Sequence, residues 1–194
     1  MTTTMTTPGC VTHTSGWLAP SEADDLFATL ARDIPWEQQA IRMYGREVDV
    51  PRLTCWFGGA AYSYSGATNP PHAWLPELKE LRARLETATA ARFNSCLANL
   101  YRSGRDGVGW HSDDEPELGA QPIIASLSLG STRDFRLRDE ASREVATIPL
   151  GHGDLLVMRG ESQTACRHSV PKRAHAGPRL NLTFRYYTEA GPRP

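Results

Sequence analysis

His111 and Asp113 stand two residues apart in the stretch Trp110-His111-Ser112-Asp113-Asp114-Glu115. In an extended strand alternate side chains project from one face, so this spacing presents an imidazole and a carboxylate together. Such a pair is two-thirds of the two-His-one-carboxylate set that holds non-haem Fe(II) and leaves coordination positions open. A third ligand has to come from elsewhere in the chain. His13, His72, His152 and His175 lie in the N-terminal stretch, a Pro-rich turn, a Gly-flanked turn and a loop with Ala and Gly neighbours, where each reads as an ordinary surface residue. His168 lies in a short polar strand, Cys166-Arg-His-Ser-Val170, just before Pro171. A late strand of a jelly roll can pack opposite an early one, which would bring His168 to His111 and Asp113. Taken alone, His168 reads better as a strand histidine hydrogen-bonded to a neighbour.

A second pattern follows in Arg179-Leu-Asn181-Leu-Thr183-Phe-Arg185. Four polar groups alternate with Leu180, Leu182 and Phe184, so they share one strand face. A solvated outer face accounts for this pattern. So does a seat for a small dicarboxylate, because guanidinium forks bind carboxylates in bidentate fashion. Asn99 and Tyr101, again two apart, offer an amide and a phenol from an earlier strand.

These residues need elements to position them. A chain of 194 residues fits one domain, and on the order of 70% of its extended surface can be buried. Ser21 stands as an N-cap with Asp24 three residues on, and Ala23, Leu26, Phe27, Leu30 and Ile34 trace a helical face that ends before Pro35. Segments 41–44, 52–57 and 61–64 read as hairpin-like β-structure rich in aromatics. After Pro76, residues Leu78, Leu81, Leu85 and Ala88 line a second helix, with Glu80 and Arg84 as an i,i+4 pair. Eight short strands then follow, over 95–102, 108–111, 123–129, 134–138, 144–150, 154–159, 167–170 and 179–187. The expected fold is α+β, a jelly roll with helices buttressing one sheet.

The Thr-rich start lacks the basic and apolar regions of a signal peptide, and residues 1–15 read as a disordered tail before a single domain spanning 16–194. Four scattered cysteines suit neither a zinc site nor a disulfide framework and favour a reducing compartment. No apolar run approaches the ~20 residues of a membrane span, so a cytoplasmic protein without a membrane partner is expected. The formal net charge of −1, from 21 basic and 22 acidic residues, argues mildly against a dedicated nucleic-acid binder. No oligomerisation surface is evident, and a monomer is the default.

Taken jointly, His111-x-Asp113, His168 and Arg179-x-Asn181-x-Thr183-x-Arg185, with Asn99-Leu-Tyr101 ahead of them and Asp113-Asp-Glu115 among them, resemble the AlkB family of Fe(II)- and 2-oxoglutarate-dependent dioxygenases. The similarity is closest to the animal-type DNA-repair branch and extends from about Ile41 to Tyr187. It implies a double-stranded β-helix core over about 92–188 and a β-rich nucleotide-recognition lid over about 36–66. It implies that His111, Asp113 and His168 bind iron. Arg179 and Tyr101 would hold the distal carboxylate of 2-oxoglutarate, Arg185 and Asn99 would lie near its keto-acid end, and Asn181 and Thr183 would support them. The implied chemistry is repair of N-methyl bases such as 1-methyladenine and 3-methylcytosine in single- or double-stranded DNA, with release of succinate, CO2 and formaldehyde.

The resemblance also gives the lid a role. Tyr62 and Tyr64 match the family's substrate-pocket aromatics, with Tyr64 stacking on a flipped base opposite the His111 ring. From spacing alone, both tyrosines read first as rim packing. Asp114 and Glu115 would accept from an exocyclic amine. Met43-Tyr44-Gly45 falls where duplex-acting relatives carry an apolar finger. Arg42, Arg46, Arg52, Arg102 and Arg105 would contact phosphates, although each alone reads as a solvated arginine. One departure counts against a strong duplex preference: the connection Arg138-Asp-Glu-Ala-Ser-Arg143 is short and carries two acids. The alternatives are the same chemistry on RNA or a small molecule, and a non-enzymatic jelly-roll binding module.

Overall fold

The computed structural model of the chain describes residues 2–6, 10–43, 46–59, 62–64, 67–69 and 71–188, and of segments 2–6, 41–43, 62–64 and 67–69 it describes the backbone alone. The elements run β1 (Thr2–Thr6), β2 (Val11–Ser15), α1 (Pro20–Asp33), β3 (Glu37–Met43), β4 (Arg46–Gly58), β5 (Tyr62–Tyr64), β6 (Ala67–Asn69), α2 (Pro76–Thr89) and β7 (Ser95–Tyr101). They continue with β8 (Val108–His111), β9 (Ile124–Gly130), β10 (Arg133–Asp139), β11 (Val145–Leu150), β12 (Asp154–Met158), a single-turn α3 (Ser162–Ala165), β13 (Cys166–Val170) and β14 (Arg179–Arg185).

Two sheets face each other as a jelly roll. The larger has the order β1-β2-β12-β9-β14-β7-β4-β3, the smaller β11-β10-β13-β8, and β5 pairs with β6 apart from both. Alternation in the sequence decides which residues go where. Leu180, Leu182, Phe184, Ala98, Leu127 and Leu155 point to the outer face of the large sheet, where Leu30 of α1 and Leu78, Leu81 and Leu85 of α2 cover them. Each leucine or phenylalanine among them contributes about 1.5–3 kcal/mol on burial. Between the sheets, Phe135, Leu137, Ile148, Leu150, Leu156 and Met158 form a second apolar cluster. That cluster fills one part of the interlayer space and leaves the rest to polar groups.

All eight core strands lie where alternation places them, within one or two residues. The N-terminal tail does not match its expectation. Residues 2–6 and 11–15 are paired strands, and β2 continues the large sheet against β12, with Val11 fully buried. Threonine is a good strand former, and the ladder of β12 supplies the partner. Ser21 is not the cap of α1: Ala19 holds that position and Pro20 takes the first turn, where a missing N–H costs nothing. Arg84 pairs across helices with Glu22 and not with Glu80, and Thr89, not Ala88, completes the buried face of α2. Among the described residues, no helix is long and apolar enough to cross a membrane.

Glycine is required where the loop after β7 meets the loop before β14. Gly104 donates to Ala176 O (2.9 Å) and accepts from Arg173 N (2.7 Å), and a Cβ there would lie 1.8 Å from Arg173 O. This clasp holds the ends of the two central strands together.

Candidate metal centre and anion seat

His111 ends β8, Asp113 follows it, and β13 pairs antiparallel with β8 so that His168 stands opposite His111. The potential ligand atoms of the three lie within 4.8 Å of one another. Each is oriented by a neighbour. His111 Nδ1 lies 2.9 Å from Gly109 O, a geometry that makes it the donor and leaves Nε2 with the lone pair, 3.9 Å from Asp113 Oδ1. Arg185 donates twice to Asp113 Oδ2, from Nη2 at 2.8 Å and from Nε at 3.1 Å, so Oδ1 stays directed at the histidines. Gln163 Oε1 accepts the backbone N–H of Asp113 at 2.9 Å. Phe135 stacks on His168 at 5.2 Å between ring centroids.

The protonation states suit a cation. Burial would raise the Asp113 pKa, but the charges of Arg185, His168 and His111 outweigh it and hold it at about 2. Burial pushes His168 down to about 3, with His111 adding to the effect, so its imidazole is neutral near pH 7. Among the described residues nothing hydrogen-bonds His168 Nδ1, which is buried. Two imidazoles and one carboxylate, each offering an atom within 4.8 Å of the others, make a donor set that one divalent ion takes. Imidazole and carboxylate donors match Fe(II).

The same cavity extends over β7, β9 and β14. Register explains the gathering: Arg179 pairs with Tyr101, Asn181 with Asn99 and with Ser128, and Thr183 with Ser126. All four polar residues of β14 are buried, which removes the solvated-face reading. Arg179 Nη2 donates to Ser128 Oγ (2.9 Å), Asn181 Nδ2 to Ser126 Oγ (2.7 Å), and Thr183 Oγ1 to Asn181 Oδ1 (3.1 Å). Among the described residues nothing accepts from Arg179 Nε or Nη1. A buried guanidinium with two idle donors fits a carboxylate, which takes two parallel bonds.

Arg52, expected beside the Met43-Tyr44-Gly45 segment as a phosphate contact, lines the cavity, and its Nε donates to Asn99 Oδ1 at 2.7 Å. Asp114 is exposed next to Asp113, and Glu115 is half-buried beyond it. Tyr44 and Gly45 lie outside the described residues, as do the side chains of Met43, Tyr62 and Tyr64. Arg102 pairs with Asp106 (2.8 Å), while Arg138 and Arg143 both pair with Glu140. Sequence reasoning missed Gln163, Ser126 and Ser128. The serines alternate with Ala125, Leu127 and Leu129, a readable signal; Gln163 sits on a single helical turn and carries none.

Comparison with known proteins agrees with this geometry. The profile of the 2OG-Fe(II) oxygenase superfamily matches residues 10–185. The chain is 46% identical over 181 residues to alpha-ketoglutarate-dependent dioxygenase alkB homolog 3 of Bos taurus, covering 88% of this chain, and 45% identical to its Homo sapiens counterpart. It is 38% identical over 179 residues to DNA oxidative demethylase ALKBH2 of Bos taurus, covering 85% of this chain and 64% of that protein. The chain spans 63% of the length of the alkB homolog 3 relatives. The solved structure of OsALKBH1 superposes with a TM-score of 0.68 at 19% identity, over 96% of this chain and 100% of that one, which speaks to the fold.

Proposed function

We propose that this chain, which belongs to the 2OG-Fe(II) oxygenase superfamily, oxidatively demethylates N-alkylated bases in DNA, with 1-methyladenine and 3-methylcytosine as substrates. The observation that carries this reading is a single cavity with a ligand set for Fe(II) and a buried, half-idle guanidinium for a dicarboxylate. The name of the relative at 38% identity, a DNA oxidative demethylase, supplies the substrate class.

His111, Asp113 and His168 would hold Fe(II), which would supply the oxidation of the N-methyl carbon at the expense of O2 and 2-oxoglutarate, with succinate, CO2 and formaldehyde as the products. Arg185 occupies one carboxylate oxygen of Asp113 and keeps the other for the metal. Arg179 and Tyr101 receive the distal carboxylate, and Asn99 and Arg185 border the keto-acid end. Asn181 and Thr183, linked to each other and to Ser126, stiffen the floor. Arg52 fixes the Asn99 amide by holding its oxygen. The roles assigned to the remaining residues are stacking on the extruded base for Tyr64, contact with the base or its sugar for Tyr62, acceptance from an exocyclic amine for Asp114 and Glu115, and filling of the gap in the stack for Met43, Tyr44 and Gly45.

The ion pairs at the β10–β11 turn favour single strands as substrate. Glu140 engages Arg138 and Arg143, so this turn offers little unpaired positive charge to a complementary strand. The test is incubation of methylated single-stranded, duplex and RNA oligonucleotides with Fe(II), 2-oxoglutarate and air, followed by mass spectrometry. Loss of one methyl-equivalent from DNA, faster from the single strand and abolished by His111→Ala, is expected. Loss from RNA alone selects the RNA reading, and no loss from any oligonucleotide overturns the demethylase reading.

A further inference from the structure

A second buried guanidinium lies behind the anion seat, and the chemistry above leaves it without a task. Arg133, at the start of β10, is 1% exposed, as is Arg179. Its Nη2 donates to the backbone carbonyls of Asp106 (2.8 Å) and Pro171 (2.6 Å). It does not line the cavity, but it is coupled to the seat through one ring. Arg133 Cζ lies 5.5 Å and Arg179 Cζ 5.2 Å from the centre of the Tyr101 ring. Burial lowers the pKa of both guanidiniums.

The charge of this pair is offset only at a distance, by Asp106 and Asp134 near Arg133. Among the described residues, neither Arg133 nor Arg179 hydrogen-bonds a carboxylate. The two acids nearest Arg133 are already committed: Asp106 takes three bonds from Arg102, from its guanidinium at 2.8 and 3.0 Å and from its backbone N–H at 2.9 Å, and Asp134 pairs with Arg173. Buried cations are costly until an anion arrives, and in a low-dielectric interior one guanidinium is felt across an aromatic ring. One carboxylate neutralises one guanidinium; the second leaves the seat positive even when Arg179 is paired.

We propose that Arg133 is a positioning and specificity residue for the cosubstrate: placed behind Tyr101, it makes the seat select a 2-oxo acid whose far end is anionic over one of the same shape whose far end is neutral. This rests on the reading of the cavity as a 2-oxoglutarate seat. Arg133 acts through Tyr101 and through its charge, without touching the ligand.

The test uses the full chain loaded anaerobically with Fe(II) and titrated with 2-oxoglutarate or with 2-oxoglutaramate, which has an amide in place of the distal carboxylate. The charge-transfer band reports occupancy without turnover. Wild-type protein should prefer 2-oxoglutarate, and Arg133→Gln should cut that preference on the order of tenfold by weakening 2-oxoglutarate alone. Arg133→Lys should keep it near about pH 6.5 and lose it towards about pH 9.5, because a buried lysine sheds its proton far more readily than arginine. The lysine series stands alone if the glutamine variant does not fold. Equal weakening of both ligands, or a preference ratio in Arg133→Lys that is flat with pH, overturns the proposal and leaves Arg133 as a brace between loops. Failure of wild-type protein to bind 2-oxoglutarate at all overturns the seat reading, and this proposal with it.

Discussion

Along β14 the two faces of one strand are equally buried and opposite in content. Towards the helices stand Leu180, Leu182 and Phe184; towards the smaller sheet stand Arg179, Asn181, Thr183 and Arg185. The first face is held by hydrocarbon contact, which is non-directional and proportional to area. The second is held by an ordered set of donors and acceptors, some of them idle. Burial alone therefore does not tell a core from a site. Idle polar atoms at depth do, because a fold gains nothing by keeping them.

The comparison breaks most readily on the apolar side. Phe184 is fully buried, with its ring 6.3 Å from Trp74 and 6.2 Å from Phe93. Phe184→Ala should lower stability in urea by about 3–5 kcal/mol, while Fe(II) affinity per folded molecule stays unchanged. A parallel collapse of metal affinity would show that the two faces are one unit. Next in size, Gln163→Leu removes the acceptor for the Asp113 N–H. It should weaken Fe(II) binding about 10–100-fold, as loss of a ligand's supporting partner does, while the unpaired N–H lowers apo-protein stability by only about 1–3 kcal/mol.

The smallest effect locates polar burial that serves the fold and not the site. Asp154, at the start of β12, accepts from Gly16 N (2.9 Å), Gly151 N (2.8 Å) and the ring of His13 (2.9 Å). Burial would raise its pKa, but those hydrogen bonds outweigh it and leave it below the usual carboxylate value. A depressed folded-state pKa stabilises fully above the unfolded value of about 3.9 and loses that contribution as pH falls through the folded value. Far-UV circular dichroism during acid titration should therefore show Asp154→Asn less stable than wild type by on the order of 1 kcal/mol near neutrality, and nearly equal to it in strong acid. A constant gap at every pH would assign the effect to packing.

Much of this was legible in the sequence, for a physical reason. Strands of period two declare their faces, so the eight core strands and the joint placement of His111, Asp113 and the polar row of β14 follow from alternation. His168 needed the resemblance, because one histidine in one short strand carries no direction of its own. Pairings that depend on partners distant in sequence were not legible: Arg84 with Glu22, β2 with β12, and Arg52 with Asn99. Each side chain had a local partner or solvent as an equal alternative, and only the closed fold decides between them. Gln163 was hidden in a turn whose composition resembles any loop.

The register of β14 against β7 and β9 has a consequence for assembly. Side chains alternate at every step, so a slip of one residue in this central strand would drive Arg179 and Arg185 into the helices and Phe184 into the ligand cluster. No half-correct arrangement exists between those extremes. The helix-packed layer thus acts as a proofreader: a molecule that has buried its leucines has, by the same stroke, already dealt its arginines to the right side.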